Sequence, residues 1–519
     1  MSKKTSLIPI FTILFTIICF INAYAQKNNL KNNTNKLLTY PIVDTGQIKC
    51  YNNSEKIPYP RPIKIFYGQD AEYINNIPKY KNNKNGTVTD LNTGLTWSKA
   101  VNKNKVSLIE AEKIAKRMTL GGYKDWRVPN IKELYSLIDF SGYTGFSGRQ
   151  LHNEPPSNAI PFINTDYFNF AYGNTNNGER YIDAQWLTNT KYVSKTMGGA
   201  KTLFGVNFAD GRIKGYGYQR IGRRGEKKFY ARYVRGNKSY GKNNFTYNKN
   251  GTITDKATGL IWMQSDSGKS MNWQKALTYA NNLKYAGYSD WRLPNAKELQ
   301  SIVDYTRSPD TTNSAAINQL FKTTSIKNES GQKDYPCYWT STTHLDGPSP
   351  GKNAAYIAFG RAIGKMHGKI MDVHGAGAQR SDPKTGTKTF RGPQGDAIRV
   401  DNYVRCVRGG SIKTRSRAPH ISKNKYPNKI TVEKNNISKN SNQKQSTSSS
   451  KQSPKINHGK NDFVTRLDKN GDKKISRYEF DGPKNRFSHH DINNDGYITE
   501  NEAPIGPPPV HHQKQSQNY

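Results

Sequence analysis

Two twelve-residue stretches near the C-terminus carry oxygen-bearing side chains at the spacing a calcium ion requires. Asp468, Asn470 and Asp472 stand at positions 1, 3 and 5 of the first, with Lys474 at 7, Ser476 at 9 and Glu479 at 12. The second repeats the pattern as Asp491, Asn493, Asp495, Tyr497, Thr499 and Glu502. Ca²⁺ takes six to eight hard oxygen ligands. Positions 1, 3 and 5 supply side-chain oxygens, position 7 a backbone carbonyl, position 9 a water-mediated contact, and the final Glu binds through both oxygens. Both loops fill every place, which reads as an EF-hand pair holding Ca²⁺. Position 6 of the first loop is Lys473, where the sharp turn favours glycine, so the second loop, with Gly496, is expected to bind more tightly. The loops begin close together, at Asp468 and Asp491, and leave room only for short helices. That compact spacing points to a structural role with weak sites, on the order of 10⁻⁴–10⁻³ M.

A second candidate is a glycine-rich polar loop that includes His367, Asp372, His374, Arg380 and Asp382. Long polar loops on a rigid scaffold tend to carry binding. His367, Asp372 and His374 are metal-ligand types, but their spacing matches no standard helical or zinc pattern. Ligand contact and plain surface loop are the other readings. No catalytic constellation stands out: there is no Gly-x-Ser-x-Gly, no His-Glu-x-x-His and no phosphate-binding Gly-Lys-Ser/Thr loop.

The elements that must position these residues come in duplicate. Asn85 to Trp97, with Asp90 and Thr93-Gly94, returns as Asn250 to Trp262, with Asp255 and Thr258-Gly259. Asp125-Trp126-Arg127-Val-Pro-Asn130-Ile-Lys132-Glu133-Leu134 returns as Asp290-Trp291-Arg292-Leu-Pro-Asn295-Ala-Lys297-Glu298-Leu299. Both echoes fall 165 residues apart, from Asp90 to Asp255 and from Trp126 to Trp291. A unit of that length is a domain rather than a solenoid repeat of roughly 20–50 residues. Each copy opens with a hairpin. A helix follows with the stripe Ala111, Ile114, Ala115, Met118, or Ala276, Tyr279, Ala280, Leu283. A second helix starts at Asn130-x-x-Glu133 or Asn295-x-x-Glu298. Asp125/Arg127 and Asp290/Arg292 read either as ligand-binding pairs or, preferably, as ion pairs fixing a turn over a buried Trp. Helices early and strands late in each copy imply an α+β fold.

Of four cysteines, Cys19 falls in the N-terminal apolar run, which leaves Cys50, Cys337 and Cys406, and the copies differ at the last two. Cys337-Tyr-Trp339 aligns with Ala184-Gln-Trp186, and Cys406 with Tyr233. Copy one lacks both together, so a Cys337–Cys406 disulfide is expected, with Cys50 free.

The chain also states its destination. Lys3-Lys4, an apolar run from Leu7 to Ile21 and Ala23-Tyr24-Ala25 form a secretory signal at 1–25. No later segment is apolar enough to span a membrane, so a periplasmic, cell-surface or extracellular protein is expected. Lys and Arg number 79 against 39 Asp and Glu, a net charge of +40. That excess favours polyanions such as acidic polysaccharides or cell-surface glycans, although the interleaved Asn-Lys runs also read as plain compositional bias. No specific nucleic-acid motif accompanies it. Residues 26–80 read as an extension packed on the first repeat, 81–240 and 245–410 as the two copies, 411–460 as a flexible basic linker, 461–504 as the EF-hand pair and 505–519 as a tail.

The repeated blocks resemble the Lcl C-terminal domain family through Thr-Gly-Leu-x-Trp (93–97, 258–262), Asp-Trp-Arg-x-Pro-Asn-x-Lys-Glu-Leu (125–134, 290–299), Tyr338-Trp339-Thr340-Ser341 and Val404-Arg-Cys406-Val-Arg408. Copy one departs from the pattern at Trp186-Leu-Thr and Tyr233. The resemblance implies two tandem C-type-lectin-like domains and a non-enzymatic adhesin-like role toward acidic glycans, centred on copy two. An enzyme of the sulfatase-modifying (formylglycine-generating) type, or a surface scaffold docking through its EF-hand pair, are the alternatives.

Overall fold

Each opening hairpin forms because an Asp and a Thr-Gly step close its turn. In the second copy the Asp255 carboxylate accepts the Ala257 amide and the Thr258 hydroxyl, and Gly259 supplies a left-handed φ of 73°. The computed structural model describes residues 38–102, 104–145, 151–219, 226–415 and parts of 460–503. The expected signal at 1–25, nearly all of the linker, the tail, and loop residues Asn470, Asn493 and Asp495 lie outside the described residues. The described chain is mostly β-sheet with six α-helices, so the expected α+β mixture is weighted toward sheet. None of those helices is long and apolar enough to cross a membrane.

Copy one comprises β1 (Tyr80–Asn82), β2 (Thr87–Asp90), β3 (Leu95–Ser98), α1 (Leu108–Arg117), α2 (Ile131–Tyr135), β4 (Gln185–Thr196), β5 (Ala200–Asn207), β6 (Arg212–Gly217) and β7 (Val234–Gly236). Copy two begins with β8 (Phe245–Tyr247), β9 (Thr252–Asp255), β10 (Leu260–Met263), α3 (Trp273–Asn281), α4 (Ala296–Ser301) and α5 (Pro309–Thr312). It continues through β11 (Cys337–His344), β12 (Asn353–Ala358), β13 (Ile363–Met366), β14 (Lys369–Asp372), β15 (Gln379–Pro383), β16 (Thr389–Arg391), β17 (Asp396–Ile398) and β18 (Val407–Gly409). In each copy the last strand returns to the opening hairpin: the sheets run β7-β3-β2-β1 and β8-β9-β10-β18. A separate sheet, β14-β13-β17-β16, holds the insertion of copy two.

The two copies are not beads on a string. Their long strands merge into one six-stranded sheet, β11-β12-β15-β6-β5-β4, whose order mirrors itself about the β15–β6 junction. There Gln379 pairs with Ile213, and the Gly215 amide donates to the His374 carbonyl at 2.9 Å. A Cβ on Gly215 would lie 2.4 Å from that carbonyl oxygen, so only glycine allows the approach. One apolar core runs through both copies, joining Trp97, Leu134 and Ile138 to Trp262, Leu299 and Ile302.

Two equivalent lysines close the junction. Lys132 Nζ, from α2, donates to the Ser301 carbonyl at the end of α4 at 2.7 Å. Lys297 Nζ, from α4, donates to the Ser136 carbonyl just past α2 at 3.0 Å and to the Asp44 carbonyl at 2.9 Å. Each cation thus meets orphan carbonyls at the other copy's helix C-terminus, where positive charge is favoured. Burial pushes both ammonium groups down to about 8.

The Asp-Trp-Arg block is structural, with a different pairing from the one expected. Arg127 and Arg292 reach the capping-box carboxylates Glu133 and Glu298, while those same carboxylates accept the Asn130 and Asn295 amides. Asp125 and Asp290 instead pair with Arg235 and Arg408 of the last strands, both at 2.6 Å. Each of these arginines lies 3.7 Å from the ring centroid of Tyr123 or Tyr288, as a cation–π contact. Trp126 and Trp291 are buried beneath.

The helix stripes hold with one exception: Ala111 and Ala115 are buried, but Ile114 is exposed and Leu108 takes its place facing inward. The segment before residue 80 does not sit on the first copy alone. Gln47 exchanges two hydrogen bonds with the Thr343 backbone, and Phe66 packs near Trp273, both in copy two. The linker expected from 411 starts inside the fold, since Lys413–Thr414 pairs with Tyr73–Ile74.

The described residues divide into two units between 425 and 426. In the smaller, α6 (Lys460–Leu467) packs Val464 and Leu467 with Ile475, Phe487, Ile498 and Ala503. The short strands β19 (Ile475–Ser476) and β20 (Tyr497–Ile498) pair through Ile475 and Ile498.

Two measurements check this account. Glu298→Ala should cost about 3–5 kcal/mol in urea unfolding, because it strands the buried Arg292 guanidinium. Glu133→Ala should cost less, about 1–3 kcal/mol, since the Arg127 side chain is 25% exposed and can rehydrate. The lysine pair predicts a pH effect. An unfolded lysine keeps its proton to about pH 10.4 while the folded pair releases it near 8, so the unfolded state binds more protons in that window. Stability therefore rises with pH between about 8 and 10. Comparing urea midpoints of the natural protein and Lys297→Met across that range should show a shallower rise in the variant; identical slopes would refute the assignment.

Candidate functional site

Beside the junction between the copies lies a half-open cavity of about 190 Å³, lined mainly by charged and polar residues. Arg380 and Asp382 are two apart on β15 and so share a sheet face; Tyr356 of β12 stands opposite Arg380. Copy one contributes Arg212, from the start of β6. The β16–β17 hairpin sets Arg391 directly across from Asp396 on the remaining wall.

Ion pairs fix most of these groups. Arg212 Nη2 reaches the Asp346 carboxylate and donates to the Ser381 hydroxyl at 2.8 Å. Burial alone would raise the Asp346 carboxyl, but Arg212 and His344 beside it hold it well below the usual range. Arg380 Nη2 pairs with Asp396, whose other oxygen meets His374 Nε2 at 2.7 Å. Asp396 is likewise held low: its burial is overridden by Arg380 and His374. Burial, reinforced by Arg380, drives the His374 imidazole down to about 4, so it is neutral at physiological pH. Asp382 behaves oppositely. Burial raises it to about 7, despite the hydrogen bond it accepts from the Arg399 amide.

Three groups on the wall remain open. Arg380 Nη1 is buried with no hydrogen-bond partner among the described residues. Arg391 is exposed and, among the described residues, makes no side-chain hydrogen bond or ion pair, and the same holds for the Tyr356 hydroxyl.

The loop residues singled out in the sequence therefore scatter. Arg380 and Asp382 line the cavity, and His374 supports it through Asp396. Asp372 faces copy one instead, accepting the Tyr192 hydroxyl at 2.9 Å; burial raises its carboxyl to about 7. His367 sits exposed at the β13–β14 turn with φ 49°. His367, Asp372 and His374 form no metal centre, and among the described residues no three His, Cys, Asp or Glu gather as one. Sequence reasoning missed Arg212, Asp346, Asn353, Tyr356, Arg391 and Asp396. The Asp-Gly-Arg step at 210–212 was a usable signal for the first of these; the rest lay in ordinary strand text, or for Asp346 in the loop after β11.

The expected Cys337–Cys406 bridge is replaced by two separate buried thiols, and Cys50 is a third. Cys337 Sγ accepts Arg399 Nη1 at 3.0 Å. The structure also moves the alignment of the copies by one residue. Leu187 and Trp339 donate to the carbonyls of Tyr230 and Tyr403, so Leu187 matches Trp339, Trp186 matches Tyr338 and Cys337 matches Gln185. Copy one packs Leu108, Leu187 and Tyr233 where copy two packs Trp273, Trp339 and Cys406. The small thiol makes room for two indoles, which accounts for the absence of Cys406 from copy one by volume rather than by a crosslink.

In the smaller unit, Lys473 takes φ +64°, the left-handed conformation that the turn demands. Its amide donates to Asp468 Oδ2 at 2.8 Å, and the Lys474 amide to Asp472 Oδ1 at 2.9 Å. Glu479 Oε2 accepts the Ser476 amide and hydroxyl; Glu502 Oε2 accepts those of Thr499. These are hard oxygen donors, of the kind that fits Ca²⁺.

No curated protein and no solved structure matches the chain. The model of the Lcl C-terminal domain matches it twice, over residues 86–235 and 251–374. With more than half its length covered by those two tandem segments, the chain belongs to the Lcl C-terminal domain family.

Proposed function

We propose that this is an exported, calcium-binding, non-enzymatic binding protein that recognises acidic glycans on a cell surface or in its surroundings. The observation that carries the reading is the junction cavity, whose open groups include two arginines on a chain of net charge +40. Guanidinium donors left over on an otherwise charge-paired, hydrogen-bonding wall suit carboxylate or sulfate groups of a polymer, and the wider basic field steers them inward. A C-type-lectin-like identity for each copy is supported by the pairing of its last strand with its opening hairpin, which brings the ends of the copy together. We read the smaller unit as the EF-hand pair, supported by the left-handed Lys473, the Ile475–Ile498 pairing and the carboxylates of Glu479 and Glu502.

Free thiols at 337 and 406 would meet one requirement of a sulfatase-modifying enzyme. Burial, however, pushes the Cys337 thiol up to about 12 and raises Cys406 as well. A reactive cysteine needs the reverse, a lowered value and access. That weighs toward binding.

Heparin affinity separates recognition from mere charge. The full chain should elute from heparin at higher salt than from a sulfonate exchanger of equal charge density; coincident elution would indicate nonspecific attraction alone. For the calcium sites, titration calorimetry should give Kd values near 10⁻⁴–10⁻³ M. Glu502→Gln should remove the tighter site and Glu479→Gln the weaker. If neither substitution alters calcium uptake, the loops are not the sites.

A further inference from the structure

We propose that the cavity between the copies seats one anionic sugar residue, with its charged group on Arg380 and Arg391 and its hydroxyls on Asp382, Asn353 and Tyr356. The proposal rests on the acidic-glycan reading and assigns it a site, a stoichiometry and a ligand unit.

Size comes first. A space of about 190 Å³ falls below the ~300–1,000 Å³ of pockets that hold drug-sized ligands, so it suits a single sugar ring and not an oligosaccharide. The open groups give the sign. Arg380 Nη1 is buried with both hydrogens unused among the described residues, a costly state unless an acceptor arrives. Arg391 adds a whole guanidinium with no acid partner among the described residues. Asp346 and Asp396 are already committed to Arg212, His374 and Arg380, so they do not attract a cation.

The rest of the wall mixes donors and acceptors, as a ring of hydroxyls requires. Asn353 already gives its amide hydrogen to Asp346, which leaves its carbonyl oxygen as an acceptor. Asp382 carries a carboxyl that burial brings to about 7, so it both donates and accepts near neutrality. Tyr356 adds a hydroxyl that has no partner among the described residues. Inorganic sulfate or phosphate would use the arginines and leave these groups idle.

Copy one is part of this site. Arg212 holds Asp346 and Ser381 in place from across the junction, so the cavity occurs once per chain although the domain occurs twice. Copy one is then a structural half of the binding site, and not a degenerate spare.

The test uses the full chain, with calorimetry and saturation-transfer NMR at millimolar ligand. Glucuronate and glucose 6-sulfate are the two anionic probes; glucose and sodium sulfate are the controls. We expect one site per chain for the anionic sugars, with any preference between them identifying the carboxylate or the sulfate ester as the natural group. Glucose and sulfate alone should bind at least roughly tenfold more weakly, and Arg391→Gln should weaken the sugars by a similar factor, the loss of a charge-assisted contact. Arg391 is exposed and unpaired, so its replacement leaves the fold intact. Equal binding of glucose, equal binding of bare sulfate, or an unchanged Arg391→Gln would each overturn the proposal. If heparin is retained but neither anionic sugar binds, the cavity assignment falls while glycan recognition stands. Loss of both results removes the functional reading as well.

Discussion

Lys132 and Lys297 have no carboxylate within ion-pair distance among the described residues, and each finds a main-chain acceptor across the boundary between the copies. A buried ammonium is costly without strong acceptors. Each gains one of its acceptors only when α2 and α4 lie against each other, Lys132 at Ser301 and Lys297 at Ser136, so a copy standing alone would lose that partner for its buried lysine. The β15–β6 pairing, the close pass at Gly215 and the continuous core all depend on that same docking. Once the copies are held in this way, the strands nearest the junction have fixed neighbours. Arg212 then reaches Asp346, and the cavity closes around residues from both halves.

Local signals were the legible part of this chain. Capping boxes at Asn130 and Asn295 appear where the short-range pattern places them, because their partners are three residues away. The hairpins are equally local. What stayed hidden was the identity of distant partners: Asp125 reaches Arg235, 110 residues on, and not the neighbouring Arg127. The roles of Lys132 and Lys297 were equally hidden, since nothing in a single copy's text shows that the other copy lies against them. The cavity was half legible. Arg380 and Asp382 stood out in a divergent loop, whereas Tyr356 belongs to a strand, and Asp346 to the loop before it, whose partners no short-range pattern discloses.

The cysteines show how comparing copies can mislead and then instruct. Aligning Trp186 with Trp339 was natural, because tryptophans are rare and each lies in the same stretch. In a strand, however, a shift of one residue exchanges the two faces of the sheet. With the shift corrected, Trp186 stacks on the buried Arg232 as Tyr338 does on Arg405, at 4.8 and 5.3 Å. Leu187 and Trp339 then face the second cluster, in which large and small residues have changed places between the copies. Both copies keep the arginine, which donates to main-chain carbonyls in each. Duplication thus preserved the hydrogen-bonded centre and let the surrounding volumes drift in compensating steps.

That division also explains where a binding site could arise. The residues that hold each copy together are matched between copies and already partnered, so they have little capacity left for a ligand. Freedom existed only where one copy gained chain, and the β13–β14 and β16–β17 segments of copy two supply it. Placed beside the mirror junction of the large sheet, the addition lines one cavity together with the other copy's Arg212. It therefore formed a walled space with opposing charges already neutralised in pairs, leaving a few donors in excess. A net charge of +40 spread over the whole chain attracts polyanions without choosing among them. Discrimination requires fixed groups in a confined space, and the junction is where the fold provides them.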